Sequence, residues 1–206
     1  MSFLQIDPQT LSPRATYKLM TGAIVPRPSG WISTVSVDGI NNVAPYSFFN
    51  AISANPPHVV FSSGRPNGIP KDSLRNALET GEFVANLVTE STAEAMNVTA
   101  TMLPSNVDEF VLANITPAPS TVISAPRVLE SPVSFECRVV HHYEMDAPGG
   151  GSVMVVGKIV MIHVADSIVD DDYNIDIEAY QPVGRLMGGM YCRVNDLFRI
   201  DRLPAP

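Results

Sequence analysis

Between Ile24 and Gly64 the chain alternates apolar, β-branched segments with residues that turn the backbone, and this stretch constrains the fold more than any other. Gly30–Val37 has the composition of a strand and ends at Asp38-Gly39, a hairpin dipeptide, so Val43–Ser47 is predicted to return beside it. Ala51–Ala54 resumes an extended path, Asn55-Pro56-Pro57 turns it, and His58–Ser62 has the length of a buried strand. The stretch therefore reads as three strands of one small barrel.

The rest of the chain continues in the same style. Ser12 is placed to cap a short helix with Pro13 in its first turn. Asp72 precedes a second helical segment with Leu74 and Leu78 on one face and Gly81 as C-cap, and Glu82–Thr89 reads as the next strand. Ser91–Met102 reads as a helix capped by Ser91, with Glu94 in the capping-box position, and a polar loop holding the apolar stretch Phe110–Leu112 follows. Ser134–Tyr143 and Ser152–Val164 predict two long antiparallel strands joined through Asp146–Gly151, whose three glycines permit positive φ at the tip. Strand follows strand with helices inserted, which predicts a mainly β fold, a closed barrel with a few helices, in a single domain over residues 1–206.

Charge narrows the partners. With 13 Lys and Arg against 21 Asp and Glu the net charge is −8, and no basic run exists, which argues against nucleic acid. The N-terminus lacks a positive region followed by an apolar core, and no apolar run reaches about 18 residues, so neither secretion nor membrane insertion is expected. Cys137 and Cys192 have no C-x-x-C spacing and read as packing residues of a protein in a reducing cytoplasm. Only 17% of residues are charged, which suggests surface hidden in an oligomer. The acidic run Asp170–Asp172 with Asp176 and Glu178 lacks the spacing and the mid-loop glycine of a calcium loop and reads as a solvated loop.

Familiar catalytic motifs are missing. The four histidines stand outside H-E-x-x-H or C-x-x-C contexts, so no metal site is expected. There is no G-x-S-x-G elbow, Walker-type phosphate loop or G-x-G-x-x-G fingerprint. A distributed binding set remains. Lys71 and Ser73 open a predicted helix, where free N–H groups attract an anion such as phosphate, although an ordinary capped helix would look the same. Arg27, between Pro26 and Pro28, suits either a bidentate phosphate contact or a surface turn. Ser47-Phe48-Phe49-Asn50 and Phe61-Ser62-Ser63-Gly64 put hydroxyls, amides and backbone donors beside aromatic rings, a mixture that suits a flat aromatic cofactor with an anionic tail. Asn86, inside a predicted strand, reads equally as a cofactor contact or a structural amide.

Taken in order, Pro26-Arg27-Pro28, Trp31–Thr34, Asn42–Asn50, Asn55-Pro56-Pro57, Lys71–Asn76 and Gly81–Asn86 resemble the flavin-reductase-like family of FMN-binding split barrels, in its flavoredoxin-like and flavoprotein-oxygenase-like branch. Gln181–Tyr191 is similar to the closing motif of that branch, so the likeness covers nearly the whole chain, with an extension from about 166 closing the site. The resemblance implies a split-barrel homodimer with FMN bound non-covalently near the interface. It implies Ser47, Phe48, Phe49 and Asn50 along the isoalloxazine, with Ser33 and Thr34 on the neighbouring strand. Ser62, Ser63, Gly64, Lys71, Asp72 and Ser73 would surround the ribityl phosphate. Arg27 matches the proline-flanked arginine, and Arg185 with Tyr191 match the closing motif that approaches the site. Two departures stand out: Arg65, in a loop rich in proline and glycine, is an extra candidate for the phosphate, and Met187 takes a place where the branch often has small residues.

The expected activity is hydride transfer from NADH or NADPH to the flavin, with the cofactor carrying the chemistry and no catalytic side chain required. The alternatives are an FMN electron carrier without its own nicotinamide site, or a non-catalytic β-barrel interaction module.

Overall fold

Ser12 accepts the Ala15 amide at 3.3 Å and Pro13 opens the first helix, as the capping signal predicts. The computed structural model describes residues 1–202; positions 203–206 of the expected domain lie outside the described residues. In chain order the elements are α1 (Pro13–Ala23), β1 (Gly30–Val35), β2 (Asn41–Tyr46), β3 (Phe49–Ala54), β4 (Pro57–Gly64), α2 (Asp72–Thr80) and β5 (Glu82–Leu87). They continue with α3 (Ala93–Val98), α4 (Glu109–Leu112), β6 (Pro117–Ala118), β7 (Arg127–Val128), β8 (Val133–Met145), β9 (Ser152–Val164), α5 (Ile177–Tyr180), β10 (Val183–Arg185) and β11 (Tyr191–Arg193).

Seven strands form one antiparallel sheet in the order β2-β1-β5-β8-β9-β4-β3. Were it flat, its edges β2 and β3 would lie roughly 29 Å apart at about 4.8 Å per strand. Instead Tyr46 from β2 and Phe49 from β3 share one core with Ile32, Phe61, Phe83 and Val155. The Tyr46 and Phe61 rings are 5.1 Å apart, as are those of Phe61 and Phe83. The sheet is therefore curled around a filled interior, and the expected barrel is realised. A second apolar cluster lies on the other face of β1, where Trp31 and Val43 meet Met96 of α3, Phe110 of α4, Val128 and Val183. β1 is consequently buried on both faces.

Four local expectations need correction. The stretch from Ile24 to Gly64 holds four strands rather than three, because the extended path before Asn55 pairs with β4 as a strand of its own, β3. The helix predicted over Ser91–Met102 is instead a 3₁₀ turn, Glu90–Thr92, followed by α3, which ends at Val98. Thr89 and Thr92 cap one another in place of Ser91 and Glu94. The helix stops because Thr99 is held from inside: its hydroxyl donates to the Met96 carbonyl at 2.8 Å and accepts the Trp31 indole N–H at 2.8 Å. On α2, Leu74 is buried but Leu78 is exposed, and the inward face carries Ser73, Asn76 and Ala77 as well. Phe110–Leu112 is the body of α4, with Phe110 in the second core, rather than loop.

The β8–β9 hairpin tip is fastened by Arg65. Its Nε donates to the Gly150 carbonyl at 3.0 Å, and its guanidinium pairs with Glu144 at 2.8 Å and with Asp146. Gly150 has φ 124°, and a Cβ there would stand 1.7 Å from the Arg65 carbonyl oxygen, so only glycine fits. No described helix is long and apolar enough to cross a membrane.

Candidate functional site

α2 begins without a cap. Lys71 occupies the cap position with no side-chain hydrogen bond, and among the described residues the N–H groups of Asp72, Ser73 and Leu74 meet no protein acceptor. A helix of nine residues that leaves its first N–H groups without a protein acceptor offers them to an anion, although Asp72 in its first turn already offsets part of the dipole. A cleft of about 370 Å³ opens at this point. Its walls are Asn42, Ala44 and Tyr46 of β2, the segment leading into α2, the Thr99–Leu103 segment beyond α3, and Glu109.

Charge in the cleft is uneven. Arg75 is paired with Asp72 at 2.5 Å, whereas Lys71, exposed at the rim, has no carboxylate within ion-pair distance among the described residues. The Lys71 ammonium lies 5.9 Å from the centroid of the Tyr46 ring. Burial pushes the Tyr46 hydroxyl above its ordinary pKa, so it stays a neutral hydrogen-bonding group. Beneath the rim, the Ser73 hydroxyl donates to Asn42 Oδ1 at 2.7 Å, and Asn42 Nδ2 donates to Glu109 Oε1 at 2.9 Å. Glu109 Oε2 accepts the Val43 N–H at 3.4 Å. Burial raises the Glu109 pKa, its hydrogen bonds oppose this, and nearby Asp72 adds to the rise.

The residues singled out from sequence fall into separate places. Lys71, Asp72 and Ser73 meet in the cleft. Thr34 does not line the cleft but lies buried behind it, accepting from Asn76 Nδ2 at 3.2 Å and donating to Asn42 Oδ1 at 3.4 Å. Ser63 is buried, 3.5 Å from the Tyr46 hydroxyl, and the neighbouring Ser62 N–H donates to the Phe48 carbonyl at 2.9 Å. Gly64 ends β4 opposite Ser152. Ser47, exposed Phe48 and exposed Asn50 lie at the turn from β2 into β3.

Others are occupied elsewhere. The Phe49 ring is a barrel-core side chain at 8% exposure. Asn86 spends its whole amide in the interior: Nδ2 donates to the Trp31 carbonyl and Ser33 Oγ, and Oδ1 accepts from the Val128 N–H and Ser134 Oγ, all at 2.9 Å. Ser33 in turn donates to the Pro126 carbonyl at 2.5 Å. These bonds hold the β7 segment against β1 and β5. The buried Arg27 guanidinium donates to the carbonyls of Thr21, Ile24 and Leu186, with Nε 3.4 Å from Ser47 Oγ. Arg65 is spent on the hairpin tip and does not line the cleft. Arg185 stacks on Tyr191, 4.4 Å from its ring centroid, within the β10–β11 hairpin. Met187 is half exposed, facing Gly22 of α1.

The sequence model of the flavin reductase-like domain matches residues 21–183, from the end of α1 to the start of β10. The chain belongs to the flavin reductase-like family. Among solved structures it resembles nitrilotriacetate monooxygenase component B from Bacillus cereus, with 37% identity, a TM-score of 0.94, and 97% of this chain and 100% of that one covered. It also resembles the 2-nitrobenzoate 2-nitroreductase of Pseudomonas fluorescens, with 30% identity, a TM-score of 0.88, and coverage of 98% and 99%. A Shewanella frigidimarina protein with a split barrel domain superposes at a TM-score of 0.84, with 25% identity over 98% of this chain and 100% of that one. The curled seven-stranded sheet is thus the split barrel of this flavin reductase-like family, a flavin-binding, oxidoreductase-type fold.

Within this flavin reductase-like chain, sequence reasoning missed Asn42, Tyr46, Glu109 and the Thr99–Leu103 wall. Asn42 and Glu109 are 67 positions apart, and no local pattern links them. The one usable signal was the string of polar residues on β2, since an amide on a strand bordering a core needs a partner.

Proposed function

We propose that this protein binds FMN non-covalently and passes a hydride from NADH or NADPH to it, handing the electrons to oxygen, free flavin or a partner. The observation that carries this reading is the uncapped N-terminus of α2 opening, with Lys71, which has no carboxylate partner among the described residues, into a cleft beside Tyr46. That donor set fits a phosphate monoester: backbone N–H groups, a helix dipole and one mobile cation. Ser47, Phe48 and Asn50, which are not buried, would then run along the flavin ring.

When bound, FMN supplies a ring that accepts a hydride at N5 and releases electrons singly or in pairs. The chain's own work is placement. Lys71 and the α2 amides anchor the anionic tail. Tyr46, kept neutral, walls the cleft without adding charge. Arg27 steadies Ser47 and, through Leu186, the closing hairpin.

A homodimer is part of the proposal. α1 buries only Thr21 and leaves Tyr17, Leu19, Met20 and Ile24 exposed, and β3 is an open sheet edge whose residues after Phe49 are all exposed. An eleven-residue helix with so little of its surface covered gains stability only from another apolar face, and an open edge invites pairing.

The visible spectrum of the purified protein, before and after anaerobic addition of NADH or NADPH, tests the activity. A yellow protein that bleaches rapidly supports it. FMN binding without bleaching favours the electron carrier, and protein that stays colourless after incubation with FMN removes the flavin reading.

A further inference from the structure

The floor of the cleft is a chain of hydrogen bonds whose direction one residue sets. Glu109 is 4% exposed, and as a carboxylate it can only accept. Asn42 must therefore turn its amide nitrogen toward Oε1, at 2.9 Å, which leaves Oδ1 to take the Ser73 hydroxyl at 2.7 Å. The Ser73 proton is committed inward, away from the mouth of the cleft. A phosphate oxygen is also an acceptor, so this arrangement withholds the side-chain O–H at the very helix end where the phosphate is proposed to sit.

We propose that Glu109 takes up a proton from solvent when a phosphate monoester enters the cleft, reversing this chain and releasing the Ser73 hydroxyl to the phosphate. As a neutral acid Glu109 donates from Oε1 to Asn42 Oδ1, while Oε2 keeps the Val43 N–H. The Asn42 amide has then turned over, its Nδ2 donates to Ser73 Oγ, and the Thr34 hydroxyl gives up its 3.4 Å hydrogen bond to Asn42 Oδ1. Only hydrogen bonds exchange, and the one proton gained comes from water. The change also removes a negative charge from a cleft that is receiving a dianion. The inference rests on the phosphate reading above and concerns what that site does with a proton.

The surroundings favour Glu109 as the group that titrates. α2 presents Lys71, Asp72 and Arg75, β2 presents Tyr46, and Asp108 precedes Glu109 on its own element. Asp72 is paired with Arg75, and Asp108 accepts the Phe110 N–H at 2.9 Å and Asn41 Nδ2 at 3.3 Å. Thr99–Leu103 carries no titratable group. Glu109 alone among these carboxyls is buried, and burial already raises its pKa.

The test is calorimetry of flavin-free, full-length protein with FMN and with riboflavin at about pH 7, in two phosphate-free buffers of different ionisation enthalpy. Wild type is expected to take up roughly half a proton or more per FMN and none per riboflavin, whereas Glu109→Gln and Asn42→Ala take up none with either. FMN affinity of wild type should fall severalfold as pH rises from about 6.5 to about 8.5, opposite to the trend from the ligand's own phosphate, whose second pKa is about 6. Equal proton counts in wild type and Glu109→Gln overturn the proposal while FMN binding stands. Should Glu109→Gln not fold, equal counts in Asn42→Ala and wild type do the same. Riboflavin binding as tightly as FMN, or no FMN binding, overturns the phosphate reading and this proposal together.

Discussion

Arg27 and Leu186 stand 159 positions apart and are joined by a hydrogen bond of 2.9 Å from the guanidinium Nη2 to the leucine carbonyl. The same guanidinium donates through Nη1 to the carbonyls of Thr21 and Ile24, at 2.7 and 2.6 Å, where the negative end of the α1 dipole favours a cation. Beside it the backbones of Arg27 and Arg185 exchange hydrogen bonds of 3.0 and 2.8 Å. One buried arginine therefore ties α1, the turn at Ser47 and the closing hairpin together.

Replacing that tether removes stability and placement but no phosphate contact. Arg27→Met should lose about 2–4 kcal/mol in urea unfolding, because buried carbonyls are left without donors. Affinities for FMN and riboflavin should fall by a common factor in fluorescence titrations. A selective loss of FMN would instead make Arg27 a phosphate ligand.

Lys71→Ala should show the opposite signature. FMN binding is expected to weaken about tenfold or more with riboflavin changed by no more than about twofold, and the difference should shrink at high salt because screening weakens the Lys71–phosphate attraction in the wild type.

Asn86→Ala breaks four interior hydrogen bonds at once, all at 2.9 Å. The expected cost is about 3–4 kcal/mol, since Trp31 O, Ser33, Ser134 and the Val128 N–H lose their partner in a buried setting. FMN affinity at a temperature where the variant stays folded should be nearly unchanged, which equilibrium titration will show.

Glu136 is fully buried and accepts the N–H groups of Thr121 and Val122 at 2.6 and 2.8 Å and His163 Nε2 at 2.6 Å. Burial pushes its pKa up, but these hydrogen bonds outweigh burial and hold it below the ordinary value. A folded pKa below the unfolded one gives stability that is present above the unfolded value, about 4.3, and is lost as pH falls through the folded one. Glu136→Gln should be less stable at neutral pH by about 2–3 kcal/mol and show a shallower acid limb in urea midpoints measured down to about pH 3.

The exposed face of α1 and the β3 edge predict a dimer of the 22.2 kDa chain. Sedimentation should report twice that mass for wild type, and Met20→Glu with Ile52→Lys should yield monomer and reduced FMN affinity. A wild-type monomer that binds FMN normally would remove the interface from the site.

Much of the barrel was legible because strand and turn signals act locally. Asp38-Gly39 closes its hairpin with Gly39 at φ 83°, Gly81 ends α2 at φ 73°, and Ser152–Val164 forms β9 at its predicted bounds. Lys71, Asp72 and Ser73 were legible for the same reason, since a helix start is written in adjacent residues. The helix predicted to run to Met102 failed because Trp31, far back in the chain, holds Thr99.

Short-range pattern and residue order dictate the curled antiparallel sheet, the family and the helix end that faces the cleft. Which polar residues are already spent depends on contacts between distant segments. Arg27, Arg65 and Asn86 look like free ligands in a string of letters, yet a buried polar group must find partners wherever the fold brings them. Those partners lie up to 159 positions away, and Glu109 belongs to the site only through Asn42, 67 positions before it.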